Sequence, residues 1–167
     1  MELNLRLVRH GSTGWTAERR YTGHADLSLD WRGRTEAKAL SEALCGRYDS
    51  VWTSDLQRCV ETARLAGLEA TPTSALREFD FGLLEGKTWD ELEPATQSAL
   101  AAFDGFQAPG GESVAAFGER IDCFVDSLVA GRHLLVTHGG VIRHLTRRAG
   151  EDKLVAPAGW CDLDIAK

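Results

Sequence analysis

The chain has 167 residues, enough for one domain with a sizeable core, and its 43% hydrophobic and 26% charged residues are ordinary for a globular protein. A formal charge of −6 argues against a nucleic-acid partner, and no apolar run is long enough to cross a membrane. The start, Met1-Glu2-Leu3-Asn4, lacks a basic segment followed by an apolar one, and Cys45, Cys59, Cys123 and Cys161 lack zinc-ligand spacing. The expectation is a single cytoplasmic domain over 1–167, with reduced thiols and no membrane partner.

In chain order, "LNLRLV" at 3–8 reads as a buried strand, and 32–45 place Ala37, Leu40 and Leu44 at helical spacing. "SVWT" at 50–53 is a short strand, followed by a helix from about Asp55 to Ala66 with Ser54 as its cap. Residues 69–77 are extended or irregular, broken by Pro72. Thr88 and Glu91 form a capping box for a short helix, and another helical stretch follows Pro94. Ser113, after "PGGE", caps a long helix to about Val129. "HLLVT" at 133–137 is a buried strand, then a helix ends at Gly150, and 160–165 form a last strand. This alternation predicts an α/β fold of three layers, α/β/α, around a mainly parallel sheet.

Two of those strands finish alike. "LRLVRHGS" and "LLVTHGGV" each run from apolar residues into His-Gly. In an open α/β sheet, ligands bind beyond the carboxyl ends of the strands, so His10 and His138 are expected at one edge. Gly11 lets the chain turn beside His10, and Gly139 and Gly140 open a helix whose first N–H groups favour an anion. "TSDLQRCVETA", residues 53–63, brings Arg58 to the same edge. Arg9, Arg58, His10 and His138 would make a cationic cluster in an acidic chain, and arginine's planar fork suits phosphate oxygens. "LREFDFGLLEG", residues 76–86, holds Glu78, Asp80 and Glu85 in an irregular acidic loop. A carboxyl group set against its apolar rings would have a raised pKa, as a general acid needs. Periodicity does not separate Glu78 from Asp80, since in an extended loop they share a face.

These residues carry a resemblance. "LVRHGST", "YTGHADLSLDWRGRTEA", "TSDLQRCVETA", "LREFDFGLLEG", "PGGES" and "VTHGGVIR" resemble, in order and over nearly the whole chain, motifs of the histidine phosphatase superfamily, phosphoglycerate-mutase-like branch. The resemblance implies that fold, a phosphomonoester substrate and no cofactor or metal. It makes His10 the nucleophile, and Arg9, Arg58, a protonated His138 and the backbone of Gly139 the holders of the phosphoryl oxygens. It makes Glu78 the acid, and later the base that activates water. Thr16 stands where the family commonly has an asparagine on the phosphate, Ser12 where glutamate is common, and Thr22 where glutamine is frequent.

Only residues 87–109 separate "LLEG" from "PGGES", and the chain stops soon after the last strand. Mutases of the family carry longer insertions and a C-terminal extension, so hydrolysis is expected, as in small bacterial α-ribazole-phosphatase-like enzymes. The alternatives are a mutase, a non-catalytic phosphate-binding module, and a metal site built on His10, His138 and Glu78. Arg9 and Arg58 oppose the last by charge. Oligomeric state is left open, a homodimer included.

Overall fold

The structure, a computed structural model, describes residues 2–166. Five strands form its frame: β1 (Glu2–Arg9), β2 (Ser50–Ser54), β3 (Thr71–Thr73), β4 (Gly131–Thr137) and β5 (Trp160–Ala166). They pair in the order β3-β2-β4-β1-β5. The first four are mutually parallel, and only β5, at the edge beside β1, is antiparallel. Six helices cover the sheet: α1 (Gly14–Ala17), α2 (Trp31–Ala43), α3 (Gln57–Leu65), α4 (Pro94–Ala102), α5 (Val114–Ser127) and α6 (Gly139–Arg148).

Alternation along the strands divides the core in two. Val8, Leu134 and Val136 pack against Leu40 and Leu44 of α2 and Cys59 and Ala63 of α3. Leu3, Leu5, Leu7 and Leu135 face the other way, toward Phe117, Ile121 and Val125 of α5 and Val141, Ile142 and Leu145 of α6. β4, central and buried on both faces, reads as a continuous apolar run over Leu134–Val136, whereas β1 alternates, with Asn4 and Arg6 on one face bonded to Asp164 and Asp162 of β5. No described helix is long and apolar enough to cross a membrane.

Most expected elements appear within two or three residues of their read limits, and two caps are as read. The Glu91 carboxylate takes both the N–H and the O–H of Thr88, and Ser113 Oγ accepts from Ala116 N–H at 3.0 Å. One cap is corrected. The third helix starts at Gln57, not Asp55, and the residue at its cap position is Leu56, which makes no side-chain capping bond. Ser54 accepts only a long 3.4 Å contact from Leu56 N–H, because its hydroxyl is turned into the space behind the site.

Candidate active site

Arg9 and Thr137 are the last register partners of β1 and β4. The next residues, His10 and His138, therefore leave neighbouring strands side by side. His10 N–H bonds to Thr137 O at 3.0 Å, and the two imidazoles meet edge-on with centroids 5.2 Å apart. His10 Nδ1 lies 2.7 Å from Gly11 O. A carbonyl only accepts, so Nδ1 carries the proton and Nε2 keeps its lone pair. Burial, with the Arg58 charge next, pushes the His10 pKa down to about 3. His10 is therefore a neutral imidazole with an unprotonated Nε2 over the ordinary pH range.

The arginines are anchored by carbonyls rather than carboxylates. Arg58, in the first turn of α3, has no exposed surface; its Nη1 donates to Ala25 O at 2.8 Å and its Nη2 to Gly23 O at 2.6 Å. Arg9 Nη1 donates to Val155 O at 2.8 Å. The Nε–H groups of both are buried with no partner in the protein. Two orphaned cationic donors are what an anionic ligand would satisfy, since unmet buried donors are costly. Burial lowers both guanidinium pKa values, but arginine stays protonated in proteins.

His138 is likewise unexposed, and burial, then the Arg58 charge, holds its pKa well below the ordinary histidine value. Burial first, and the charges of Arg58 and Arg9 after it, favour the neutral imidazole. Its Nε2 lies 2.9 Å from Ser54 Oγ and 3.4 Å from Cys59 Sγ.

Glu78 reaches the cluster from its irregular loop. Its Oε1 accepts Phe79 N–H and its Oε2 accepts Gly140 N–H from the first turn of α6, both at 2.9 Å. The carboxyl group is thus placed by two backbone donors, in a cavity whose lining also includes Phe81 and Trp89. Behind it, Arg120 donates to the carbonyls of Ala75, Arg77 and Glu78 and forks onto Glu112, both bonds at 3.0 Å. Glu112 N–H in turn bonds to Asp80 O at 3.0 Å. His24 Nε2 adds a 3.1 Å contact to Glu78 O. Asp80 caps Gly82 N–H through Oδ1 at 2.9 Å, and Glu85 binds the N–H groups of His24 and Ala25. Asp80 is thus engaged in a local turn and Glu85 in holding the distant 24–25 backbone.

A cavity of about 380 Å³ opens on Arg9, His10, Thr16, Glu78, Phe81 and Trp89, with Arg19 and Arg20 at its rim. The Thr16 hydroxyl borders it but lies 3.0 Å from Thr13 Oγ1 in the cap of α1. Gly139 is the first residue of α6, beside the Arg9 guanidinium. Among the described residues, no group of three His, Cys, Asp or Glu side chains is placed to hold a metal ion. The sequence reading did not place Ser54, Cys59, Glu112 or Arg120 in the site. Ser54 was within its reach: it ends a parallel strand at the same sheet edge as the two histidines.

With this geometry the comparisons agree. Residues 5–160 match the family model described as the histidine phosphatase superfamily (branch 1). The Arabidopsis thaliana "Phosphoglycerate mutase-like protein 4" is 35% identical over 159 residues, 86% of this chain and 69% of that protein. "Probable phosphoglycerate mutase GpmB" of Yersinia enterocolitica is 33% identical over 150 residues, 82% of this chain and 70% of that protein. Among solved structures, TTHB049 from Thermus thermophilus superposes with a TM-score of 0.90 at 43% identity, covering 96% of this chain and 93% of that one. An Escherichia coli K-12 protein described as a "putative alpha-ribazole-5'-P phosphatase" gives 0.83 at 29% identity, covering 99% and 91%. The chain belongs to the histidine phosphatase superfamily.

Proposed function

We propose that the protein is a metal-independent phosphomonoesterase that works through a phosphohistidine on a small phosphorylated metabolite. The observation that carries this reading is the His10 tautomer: Nδ1 is tied to Gly11 O, which leaves Nε2 with its lone pair, and the ring feels the charges of Arg58 and Arg9, whose Nε–H groups have no partner. Nε2 attacks phosphorus as the ester P–O bond breaks, and the departing oxygen takes a proton from Glu78. Water then gives a proton back to Glu78 and attacks the phosphohistidine, releasing inorganic phosphate and restoring His10. Two displacements replace one difficult step. The transition state asks for positioned charge more than covalent chemistry, and Arg9, Arg58 and His138 supply it.

Hydrolysis is favoured over mutase chemistry because a mutase must shield the phosphoenzyme from water. Between Leu84 and Pro109 this chain has only one short 3₁₀ turn and the nine-residue α4, and of this segment only Trp89 lines the cavity. The mutase reading is kept because curated relatives carry that name. α-Ribazole phosphate is the first candidate substrate, on the strength of the description of one structural neighbour.

The test uses ³²P-labelled phenyl phosphate, followed by a screen with α-ribazole phosphate and 3-phosphoglycerate. Wild type is expected to trap acid-labile phosphate that His10→Ala does not, to release inorganic phosphate in EDTA, and to be blocked by vanadate. Full turnover by folded His10→Ala, or activity lost to EDTA and restored by a divalent ion, overturns the reading. Conversion of 3-phosphoglycerate to its 2-isomer in excess of released phosphate selects the mutase.

A further inference from the structure

His138 is fully buried, burial holds it neutral, and its imidazole meets that of His10 edge-on with centroids 5.2 Å apart. A neutral imidazole has one N–H and one bare lone pair, so it helps or repels an anion according to which nitrogen holds the proton. We infer that Ser54 fixes the proton of His138 on Nδ1 and so makes that N–H the donor to the phosphoryl group. Ser54 is a positioning residue, and this role rests on the phosphohistidine reading above.

Ser54 ends β2 with no exposed surface, and its Oγ lies 2.9 Å from His138 Nε2. α3 does not use the hydroxyl as a cap, apart from the 3.4 Å contact from Leu56 N–H, and the hydroxyl's other side-chain neighbour is the Cys59 thiol. The second neighbour of Nε2 is Cys59 Sγ, at 3.4 Å. That thiol is unexposed, and burial pushes its pKa up to about 12, so it keeps its proton. It donates that proton to Thr137 O at 3.4 Å. The donor left to meet Nε2 is the Ser54 hydroxyl. Nδ1, by contrast, meets nothing closer in hydrogen-bonding range than Cys59 Sγ at 3.9 Å, a marginal contact.

The opposite tautomer would donate Nε2–H to Ser54 and turn a lone pair toward a dianion, against the sense of the two guanidinium groups beside it. A hydroxyl also serves after the anion arrives. The incoming negative charge favours protonation of His138, and the hydroxyl then rotates to accept from Nε2–H while Nδ1–H stays in place. An alanine can do neither, and a threonine can do both.

The experiment is a long-range ¹H–¹⁵N correlation spectrum of uniformly ¹⁵N-histidine-labelled protein near pH 7, with His138 assigned from His138→Gln. The expected wild-type pattern is a protonated Nδ1 and an unprotonated Nε2. Ser54→Ala is expected to move His138 toward the Nε2–H tautomer and to slow phosphoenzyme formation from phenyl phosphate by about 10²-fold, the usual loss for one transition-state donor. Ser54→Thr restores both. An Nε2–H tautomer in wild type overturns the inference without any variant, as does Ser54→Ala with an unchanged tautomer or rate. A wild type that forms no phosphohistidine at all sinks the parent reading instead, so the two failures are separable.

Discussion

Gly140→Ala separates the placing of Glu78 from the stability of the fold. Gly140 is the second residue of α6, and its N–H holds Glu78 Oε2 at 2.9 Å. A Cβ built there would overlap Glu78 Oε1 and lie 3.0 Å from the carboxyl carbon. The obstructing atoms are the far end of a flexible side chain, so the conflict is relieved by swinging the carboxyl group away rather than by moving backbone. The backbone itself is right-handed helical, where alanine is preferred to glycine by up to about 1 kcal/mol. The melting temperature should therefore hold or rise. A carboxyl group displaced by about 1 Å should cost roughly 10²-fold in rate on a substrate that needs its proton. An alkyl phosphate, whose alkoxide is strongly basic, is such a substrate; p-nitrophenyl phosphate, whose phenolate leaves unaided, is not. The assay is kcat on both substrates, with the melting temperature beside it. Undiminished turnover of the alkyl phosphate by Gly140→Ala would refute the assignment of Glu78 as the proton donor.

Glu78→Gln should reproduce that divergence between alkyl and nitrophenyl substrates, while Asp80→Asn and Glu85→Gln should not; divergence in Asp80→Asn alone moves the acid to Asp80. Gly33→Ala is expected to destabilise the protein strongly, measured by urea unfolding, because its Cβ would drive into the backbone of Ser12, including N at 2.7 Å, and neither strand of chain can yield cheaply. Stability should fall as pH drops below the ordinary histidine value of 6.5, because the unfolded chain then binds protons that buried His10, with its pKa near 3, refuses. One such group contributes a slope of about 1.4 kcal/mol per pH unit between those limits, and His138 adds to it with the same sign. Urea unfolding from pH 7 to 5 should show His10→Asn flattening this slope; an equal slope in the variant would mean that His10 is not held neutral.

The sheet was legible because β1 alternates with Leu3, Leu5 and Leu7 on its buried face and β4 carries the apolar run Leu134–Val136, and the site's outline was legible because His10 and His138 follow those strands at matching points. What could not be read is what each group leans on. Arg58 looks from the sequence like any exposed helical arginine, yet it is unexposed, because the carbonyls of Gly23 and Ala25, more than thirty residues away, take its two Nη groups. The carbonyl anchoring Arg9 comes from Val155, 146 residues on. Ser54 carries the composition of a helix cap, and local pattern gave no sign that a histidine 84 residues later would claim its hydroxyl. The Glu78 loop is irregular because its carbonyls bond to Arg120 instead of to a neighbouring strand, a partnership with no sequence period at all.

The carbonyl anchors also bear on why the site can work without relaxing. A guanidinium paired with a carboxylate has its charge met, and an arriving phosphoryl group would have to compete for it. Here the Nη groups of Arg58 and one Nη of Arg9 are fixed by neutral oxygens, so the side chains are oriented without a bonded carboxylate, and Glu78 acts on both only through space. The nearby carboxylates are held elsewhere: Glu78 by Phe79 and Gly140, Glu85 by His24 and Ala25, and Glu112 by Arg120. The cost is carried by the empty protein, as two orphaned Nε–H groups and two imidazoles kept from protonating. A dianion relieves all of these at once, and a transition state with more charge on its equatorial oxygens relieves them further. Groups oriented before the substrate enters need no rearrangement as that charge develops, which is the condition under which fixed dipoles and charges lower a barrier.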